Sequence, residues 1–221
     1  VFEDKLLGDV LEMRARGKED TRSGGEDLLV LGIHLFDIMI WLAGAPSWCW
    51  ADVQVDGRPV TRTDIREATE PLGPIIGDSI HAVFQFPNNI KGYFASQKNT
   101  DGNQGRWGLD IHGSRGIVTV RMGPTPAVYG LPDPTWAPGG GSKGWRKLPQ
   151  APDVKLDGPV HHYKPIIDEL IAAIEEDREP DYGLRDARAA HEMVQGVFAS
   201  AVEEGCRVAL PLASRTHPLA Q

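Results

Sequence analysis

A histidine and an aspartate stand three residues apart in the stretch GIHLFDIMIWLAG, residues 32–44, which is otherwise almost entirely apolar. In a helix, residues i and i+3 are neighbours on one face, so the carboxylate of Asp37 could orient the imidazole of His34. An imidazole titrates near neutral pH, which suits general acid–base catalysis on a hydroxyl proton. The same pair is also compatible with a core histidine that hydrogen-bonds to Asp37 or to a carbonyl. By residue type alone, that structural interpretation is favoured.

Other polar side chains follow predicted strands, at places where a ligand could bind. Lys98 and Asn99 end the stretch ASQKN, and Arg106 and Trp107 lie in GRWG. We therefore consider all four as candidate substrate-binding residues. The alternatives to substrate binding are that Lys98 is an exposed lysine in a turn and that Trp107 is a tryptophan buried in a hairpin.

No spacing of metal ligands is present. Cys49 and Cys206 form no CxxC or Cys/His pattern, which favours two reduced thiols. His161 and His162 are adjacent, and adjacent residues on a helix point apart, so we expect no metal site there. The glycine-rich GGGSKG at 139–144 has no predicted strand before it and no helix after it, so it does not predict a phosphate-binding loop.

The charge balance excludes two classes of partner. The 221 residues include 23 Lys and Arg against 31 Asp and Glu, a net charge of −8. An acidic chain without basic runs predicts no nucleic-acid and no membrane partner. The longest apolar run, residues 28–42, is interrupted by polar residues and is too short for a membrane span. We expect a cytoplasmic protein, with an export signal upstream of Val1 left open, because the chain reads like the middle of a polypeptide.

The hydrophobic pattern around His34 predicts a helix over residues 28–43. Its apolar residues spread nearly all round the helix, which predicts burial on all sides. Asp27 or Ser23 could cap its N-terminus, and Gly44 ends it.

In the rest of the chain, hydrophobic residues recur first at the period of strands and then at the period of helices. Residues 10–15 and several runs between 47 and 121 have strand periodicity, with hairpin turns at 87–89 and 113–116. Residues 123–145 are rich in Pro and Gly and predict an irregular loop or arm. Two amphipathic helices and a short strand in CRVALPL follow. We therefore predict an α+β fold, an open and mostly antiparallel sheet with about three helices on one face.

Four segments, in order along nearly the whole chain, resemble those of the Gfo/Idh/MocA oxidoreductases, which include glucose–fructose oxidoreductase and inositol dehydrogenase. The helix SGGEDLLVLGIHLFDIMIWLAGAP is similar to the family's signature helix, and LLGDVLEMRARG resembles the strand that opens its second domain. WGLDIHGSRGIVTV resembles a family hairpin, and YKPIIDELIAAIEEDREPDYGLRDARAAHEMVQGVFASAVEEGCRVALPL resembles its closing helices and last strand.

The resemblance implies that residues 1–221 are one C-terminal domain, and that the N-terminal Rossmann domain and a family lysine at its end are outside this chain. NAD or NADP would then bind through the missing domain, and no cofactor is expected in this chain alone, which would be inactive by itself. The implied full-length enzyme is a dehydrogenase acting on a sugar, polyol or similar hydroxyl compound. The implied partner is a second copy, in a homo-oligomer (dimer or tetramer) formed through the open sheet face.

The resemblance assigns His34 as the catalytic histidine that takes a hydroxyl proton, with Asp37 as a possible orienting partner. Many relatives have an aspartate four residues before the histidine, but Val30 occupies that position here. Asp27 and Glu26 are at other offsets, which predicts other helix faces. Two alternatives stay open: a non-catalytic oligomerisation or interaction module, and a family member that uses bound NAD for elimination or glycoside cleavage.

Overall fold

The computed structural model describes residues 6–98, 106–122, 126–136, 144–148, 159–181 and 183–220. Most of its strands lie in one large sheet, to which both ends of the described chain contribute. The strands in chain order are β1 Val10–Arg16, β2 Trp48–Val55, β3 Arg58–Pro59, β4 Arg66–Glu67, β5 Pro74–Ile75, β6 Ser79–Gln85, β7 Lys91–Gln97, β8 Gly108–Gly113, β9 Ile117–Arg121, β10 Ala127–Leu131, β11 Arg146–Lys147 and β12 Val208–Ala209.

The large sheet is mostly antiparallel, with one parallel pair at its centre. Its order is β11-β10-β9-β8-β1-β7-β6-β2-β12, and β3 pairs with β2. β1 lies parallel to β7, with Ala15 opposite Phe94, and antiparallel to β8. β4 and β5 form a separate two-stranded sheet. The predicted α+β class with an open, mostly antiparallel sheet is confirmed.

Strict alternation along the strands puts one sheet face in the core. In β6, Ile80, Ala82 and Phe84 are buried, and the residues between them are less buried or exposed. The predicted β6–β7 hairpin is confirmed, and its turn over 87–89 is a 3-10 turn. Asn88 adopts φ 55° there, a left-handed conformation that asparagine tolerates better than most residues.

The predicted helix around His34 is present, but it is longer and interrupted. It comprises α1 Gly25–Asp27, a π-helical segment Leu28–Gly32 and α2 Ile33–Ala43. The predicted cap is wrong, because Gly24 is the N-cap and no side chain caps it. The predicted burial on all sides is also wrong. One face of α2 packs inward through Phe36 and Met39, while Trp41 on another face is 68% exposed.

Phe36 anchors this helix to the sheet. Its ring meets those of Phe84 and Phe94 edge-on, with centroids 5.2 and 5.3 Å apart. About one helical turn before Phe36, Gly32 lies directly over Phe94, where an added Cβ would come within 2.9 Å of the ring. The absence of a side chain at Gly32 therefore lets the π-helical segment approach the sheet closely.

Two further helices follow, α3 Pro159–Glu175 and α4 Leu184–Val202. α4 packs against α2 and β2 and is buried over most of its second half, residues 193–201. β12 confirms the predicted short C-terminal strand. β10 corrects the prediction of an irregular segment over 123–145, because residues 127–131 pair with β9 despite the surrounding Pro and Gly. None of the described helices is long and apolar enough to cross a membrane.

Candidate functional site

His34 lies on the outer side of α2, as the second residue after the π-helical segment, and its side chain is exposed. No hydrogen bond or ion pair of the described residues involves it. The interpretation as a core histidine satisfied by neighbouring groups therefore does not hold. An exposed imidazole on a rigid, sheet-anchored helix is accessible to a substrate hydroxyl.

Asp37 is half-buried one turn further along α2 and does not hydrogen-bond to His34 in this structure. Its pKa is raised, first by burial and then by the negative charge of Asp186 at the start of α4. The positive charge of His34 acts in the opposite direction on the pKa of Asp37, so the two groups interact through charge. The i, i+3 spacing predicts that Asp37 orients His34 through a hydrogen bond, and this stays a prediction.

The π-helical segment changes which residues share a face with His34. The N–H of Ile33 donates to the carbonyl of Leu28, a bond between residues five apart. Offsets counted at 3.6 residues per turn therefore do not apply across residues 28–32. Val30 lies inside this segment and is half-buried. The sequence argument that assigned Asp27 and Glu26 to other faces by offset is invalid here. The contacts of these residues show instead that both bind loops.

Asp27 is fully buried and fastens the loop after β1 to the start of the helix. Its carboxylate accepts hydrogen bonds from the backbone N–H of Lys18 and Glu19, each at 3.1 Å, and from the hydroxyl of Ser96 at 2.6 Å. The oxygen of Ser96 in turn accepts from the N–H of Gly24 at 3.0 Å. Burial raises the pKa of Asp27, and the Ser96 hydrogen bond partly opposes this.

Glu26 holds a second loop, the one between β4 and β5, in a similar way. It is 2% exposed and accepts from the backbone N–H groups of Thr69 and Glu70, at 3.0 and 3.3 Å, and from the Thr69 hydroxyl. Asp27 and Glu26 therefore hold two separate loops against the first turn of the helix that carries His34. The position of this turn is set by carboxylates rather than by a capping side chain.

Glu19 joins Arg106 to the same end of the helix. Glu19 is 1% exposed, with φ 55°, and its carboxylate pairs with Arg106 and with Arg16, the latter at 2.9 Å. It also accepts from the N–H of Gln97 at 2.9 Å. The N–H of Glu19 donates to the carboxylate of Asp27 at the helix N-terminus. Glu19 therefore links Arg106 to this end of the helix.

Of the four predicted substrate-binding residues, the structure brings Arg106 and Trp107 to this region. Lys18 lies over the ring of Trp107, with Nζ 5.8 Å from its centroid, and the Trp107 Nε1 is buried without a hydrogen-bond partner among the described residues. Lys98 instead pairs with Asp78 at 3.4 Å and Asp56 at 3.6 Å. Asn99 lies outside the described residues.

Sequence reasoning missed Asp27, Glu19 and Ser96 as parts of one network. Asp27 and Glu19 lie at the two ends of a glycine-containing loop. Two carboxylates beside the start of an apolar helix could have indicated this network. Ser96 offered none, because a serine in an alternating strand is ordinary. Its role depends on β7 lying next to β1, which only the sheet order shows.

A metal site and a dinucleotide-binding loop each require particular residues in a particular arrangement. No group of three or more His, Cys, Asp or Glu among them could hold a metal ion. The side chains of His161 and His162 lie outside the described residues. Of GGGSKG only Gly144 is described, and the strand β11 rather than a helix follows it. A dinucleotide-binding loop opens a helix, so this context does not fit one.

Solved structures share this fold at low identity, and no curated protein matches the chain. Aldose–aldose oxidoreductase from Caulobacter crescentus, complexed with glycerol, is 19% identical with a TM-score of 0.64, over 95% of this chain and 58% of its own. Levoglucosan dehydrogenase in complex with NADH and levoglucosan is 16% identical with a TM-score of 0.65, over 95% and 61%. An oxidoreductase from Agrobacterium radiobacter in complex with NAD+, L-tartaric acid and magnesium is 16% identical with a TM-score of 0.62, over 95% and 59%.

The chain therefore spans about three fifths of the length of these structures. The model of an oxidoreductase family's C-terminal α/β domain matches residues 13–210, nearly the whole chain. The match includes the second half of β1, the helix of His34 and the closing helices. This chain belongs to the Gfo/Idh/MocA oxidoreductase family and corresponds to its C-terminal domain.

Proposed function

We propose that this chain is the substrate-binding and oligomerisation domain of an NAD- or NADP-dependent oxidoreductase acting on a sugar, polyol or similar hydroxyl compound. The observation that carries this proposal is the exposed His34 on the family's signature helix, without a competing hydrogen-bond partner in the described part of the chain. His34 takes the proton of the substrate hydroxyl, and the nearby carboxylate of Asp37 stabilises the imidazolium that forms.

A nicotinamide would supply the hydride acceptor, and the described residues form no dinucleotide-binding loop at the start of a helix. We place the cofactor on a preceding domain of the full-length protein, because this chain spans about three fifths of the length of solved structures in complex with NAD+ or NADH. α3 offers a surface for that domain, since a row of apolar side chains along it is about half exposed or more. These side chains are Ile166, Ile167, Leu170, Ile171 and Ile174. Contiguous apolar surface of this kind is typical of an interface.

The full-length protein is expected to reduce NAD or NADP when supplied with a substrate from a panel of aldoses, polyols and anhydrosugars. The measurement is the absorbance of the reduced nicotinamide, followed by identification of the product. The present chain alone serves as the matched control and should show no reduction. Net oxidation of the hydroxyl compound supports the proposal and excludes elimination or glycoside cleavage. A product formed without oxidation of the hydroxyl compound contradicts it.

The sheet face opposite the helices favours a second role, in assembly. A row of side chains crosses the central strands on this face in hydrogen-bonded register, from Trp50 through Val83 and Tyr93 to Arg14 and Asp110. Trp50 is 39% exposed, and the guanidinium of Arg14 lies over the Tyr93 ring at 5.8 Å. Aromatic residues and arginine are enriched in protein interfaces. We propose that this face pairs with the same face of a second copy.

Val83→Arg is expected to convert an oligomer into a monomer. Val83 lies in the middle of the row, so the substitution would bury an unpaired charge on both sides of a two-fold interface and weaken association about a hundredfold or more. Sedimentation velocity at micromolar concentration measures this. Leu72→Arg is the matched control, because Leu72 is exposed on the loop between β4 and β5. If the wild type sediments as a stable monomer, this face is not an interface between copies.

A further inference from the structure

A groove between α4 and the segment after β12 forms a second concave site. It consists of two adjoining cavities of about 240 and 260 Å³, which share Arg188 and Glu192 in their walls. One cavity extends to Pro46, after α2, and the other to His217. Neither is lined by His34 or Asp37. We call this feature, lined by α4 and residues 210–218, the C-terminal groove.

The groove is positively charged in an acidic protein. Arg185 and Arg188 line it from successive turns of α4, and neither has an ion-pair partner among the described residues. The carboxylate in the same wall, Glu192, is already occupied. It accepts from Arg215 at 3.1 Å and from the backbone N–H of Leu212 at 2.5 Å. Two guanidinium groups are therefore available to an anion, and a guanidinium binds carboxylate or phosphate through paired hydrogen bonds.

Gln195 gives a second, independent indication of a ligand. It lines the larger cavity and is only 9% exposed, and its Oε1 is buried without a hydrogen-bond partner in the described part of the chain. Its Nε2 lies 3.2 Å from Nε2 of His191, so the amide nitrogen is engaged and the oxygen is the amide atom left without a partner among the described residues. An unpaired buried acceptor is costly, and a hydroxyl that donates to it removes that cost.

We propose that the C-terminal groove binds a small hydroxylated anion. The anionic group binds to Arg188 and Arg185, and a hydroxyl of the same molecule donates to Oε1 of Gln195. The combined cavities are of the size that accommodates a small molecule rather than a macromolecule. The site is independent of the proposed reaction at His34, because neither His34 nor Asp37 lines it.

Isothermal titration calorimetry on the 221-residue chain tests this proposal with gluconate, glucose 6-phosphate and neutral glucose as probes. We expect saturable binding of at least one anion and much weaker binding of glucose. Tighter binding of gluconate identifies a carboxylate ligand, and tighter binding of glucose 6-phosphate identifies a phosphate. Equal affinity supports the shared chemistry.

Arg188→Gln is expected to weaken binding of the anion about tenfold or more, because one charge-assisted contact is lost. Arg188 is exposed and unpaired among the described residues, so its removal should leave folding intact. Arg62→Gln, at an exposed arginine outside the groove, is the matched control. Gln195→Met should reduce the preference for gluconate over acetate, or for glucose 6-phosphate over inorganic phosphate. The proposal is overturned if no anion saturates the chain, if glucose binds equally well, or if Arg188→Gln binds like the wild type.

Discussion

Replacing His34 with asparagine in the full-length enzyme is expected to lower kcat by about 10²–10⁴-fold, the usual contribution of a general base. Asparagine keeps a polar side chain of similar size but cannot accept a proton. KM should change little, because the group acts on the transferred proton rather than on substrate binding. Steady-state kinetics at saturating cofactor measure both constants.

Folding does not account for such a loss, because His34 is exposed and has no hydrogen bond within the described residues. The free energy of unfolding of His34→Asn should stay within about 0.5 kcal/mol of wild type. Arg62→Gln is the control for loss of an exposed polar side chain in general, since Arg62 is exposed in the 3-10 turn over Arg62–Asp64, outside the helix of His34 and the strands of the sheet. A folded His34 variant with unchanged kcat would exclude the histidine as the base.

Replacing Asp27 with alanine is expected to destabilise the domain by about 3 kcal/mol or more. The substitution leaves the buried N–H of Glu19, the N–H of Lys18 and the hydroxyl of Ser96 without their acceptor. Urea denaturation measures the loss. Asp64→Ala is the matched control, because Asp64 also accepts several hydrogen bonds but at the surface, so its loss should cost much less than the loss of Asp27. Equal losses for the two variants would contradict a special role for Asp27.

The raised pKa of Asp27 also predicts how the destabilisation caused by Asp27→Ala changes with pH. Burial raises the pKa of Asp27 above 3.8, so the folded state holds this proton to higher pH than the unfolded state does. Stability from this group is therefore fully present below the unfolded pKa and is lost as pH rises through the folded pKa. The difference in unfolding free energy between wild type and Asp27→Ala should be largest in acid and narrow as pH rises above 3.8. A widening difference would contradict the raised pKa.

Much of the fold could be predicted because its signals are local. Alternation at Ile80, Ala82 and Phe84 predicts a half-buried strand regardless of its neighbours. The asparagines after Pro87 predict the turn of the hairpin for the same reason. The amphipathic pattern of α4 also predicts its buried face. Each of these features depends on residues close together in the chain.

The rest depends on contacts between distant parts of the chain. Ser96 and Asp27 meet only because β7 lies beside β1, and no periodicity encodes that order. The π-helical segment also escaped prediction, because Leu28–Gly32 has an ordinary apolar composition. Lys98 followed a strand as expected, but the carboxylates of Asp78 and Asp56 beside it could not be foreseen from residues 95–99.

The central position of β1 has a consequence for how the domain assembles. It is the first described strand of the chain, yet its partners are the distant strands β7 and β8, so Glu12 pairs with Lys91 on one side and His112 on the other. Closing contacts of such long sequence separation is entropically costly and slow. The hairpins β6–β7 and β8–β9 form from local contacts, so they should fold first and leave a gap between them. Final assembly is then the insertion of one strand into that gap, and a chain that stalls beforehand exposes two strand edges to which β1 of another copy can add.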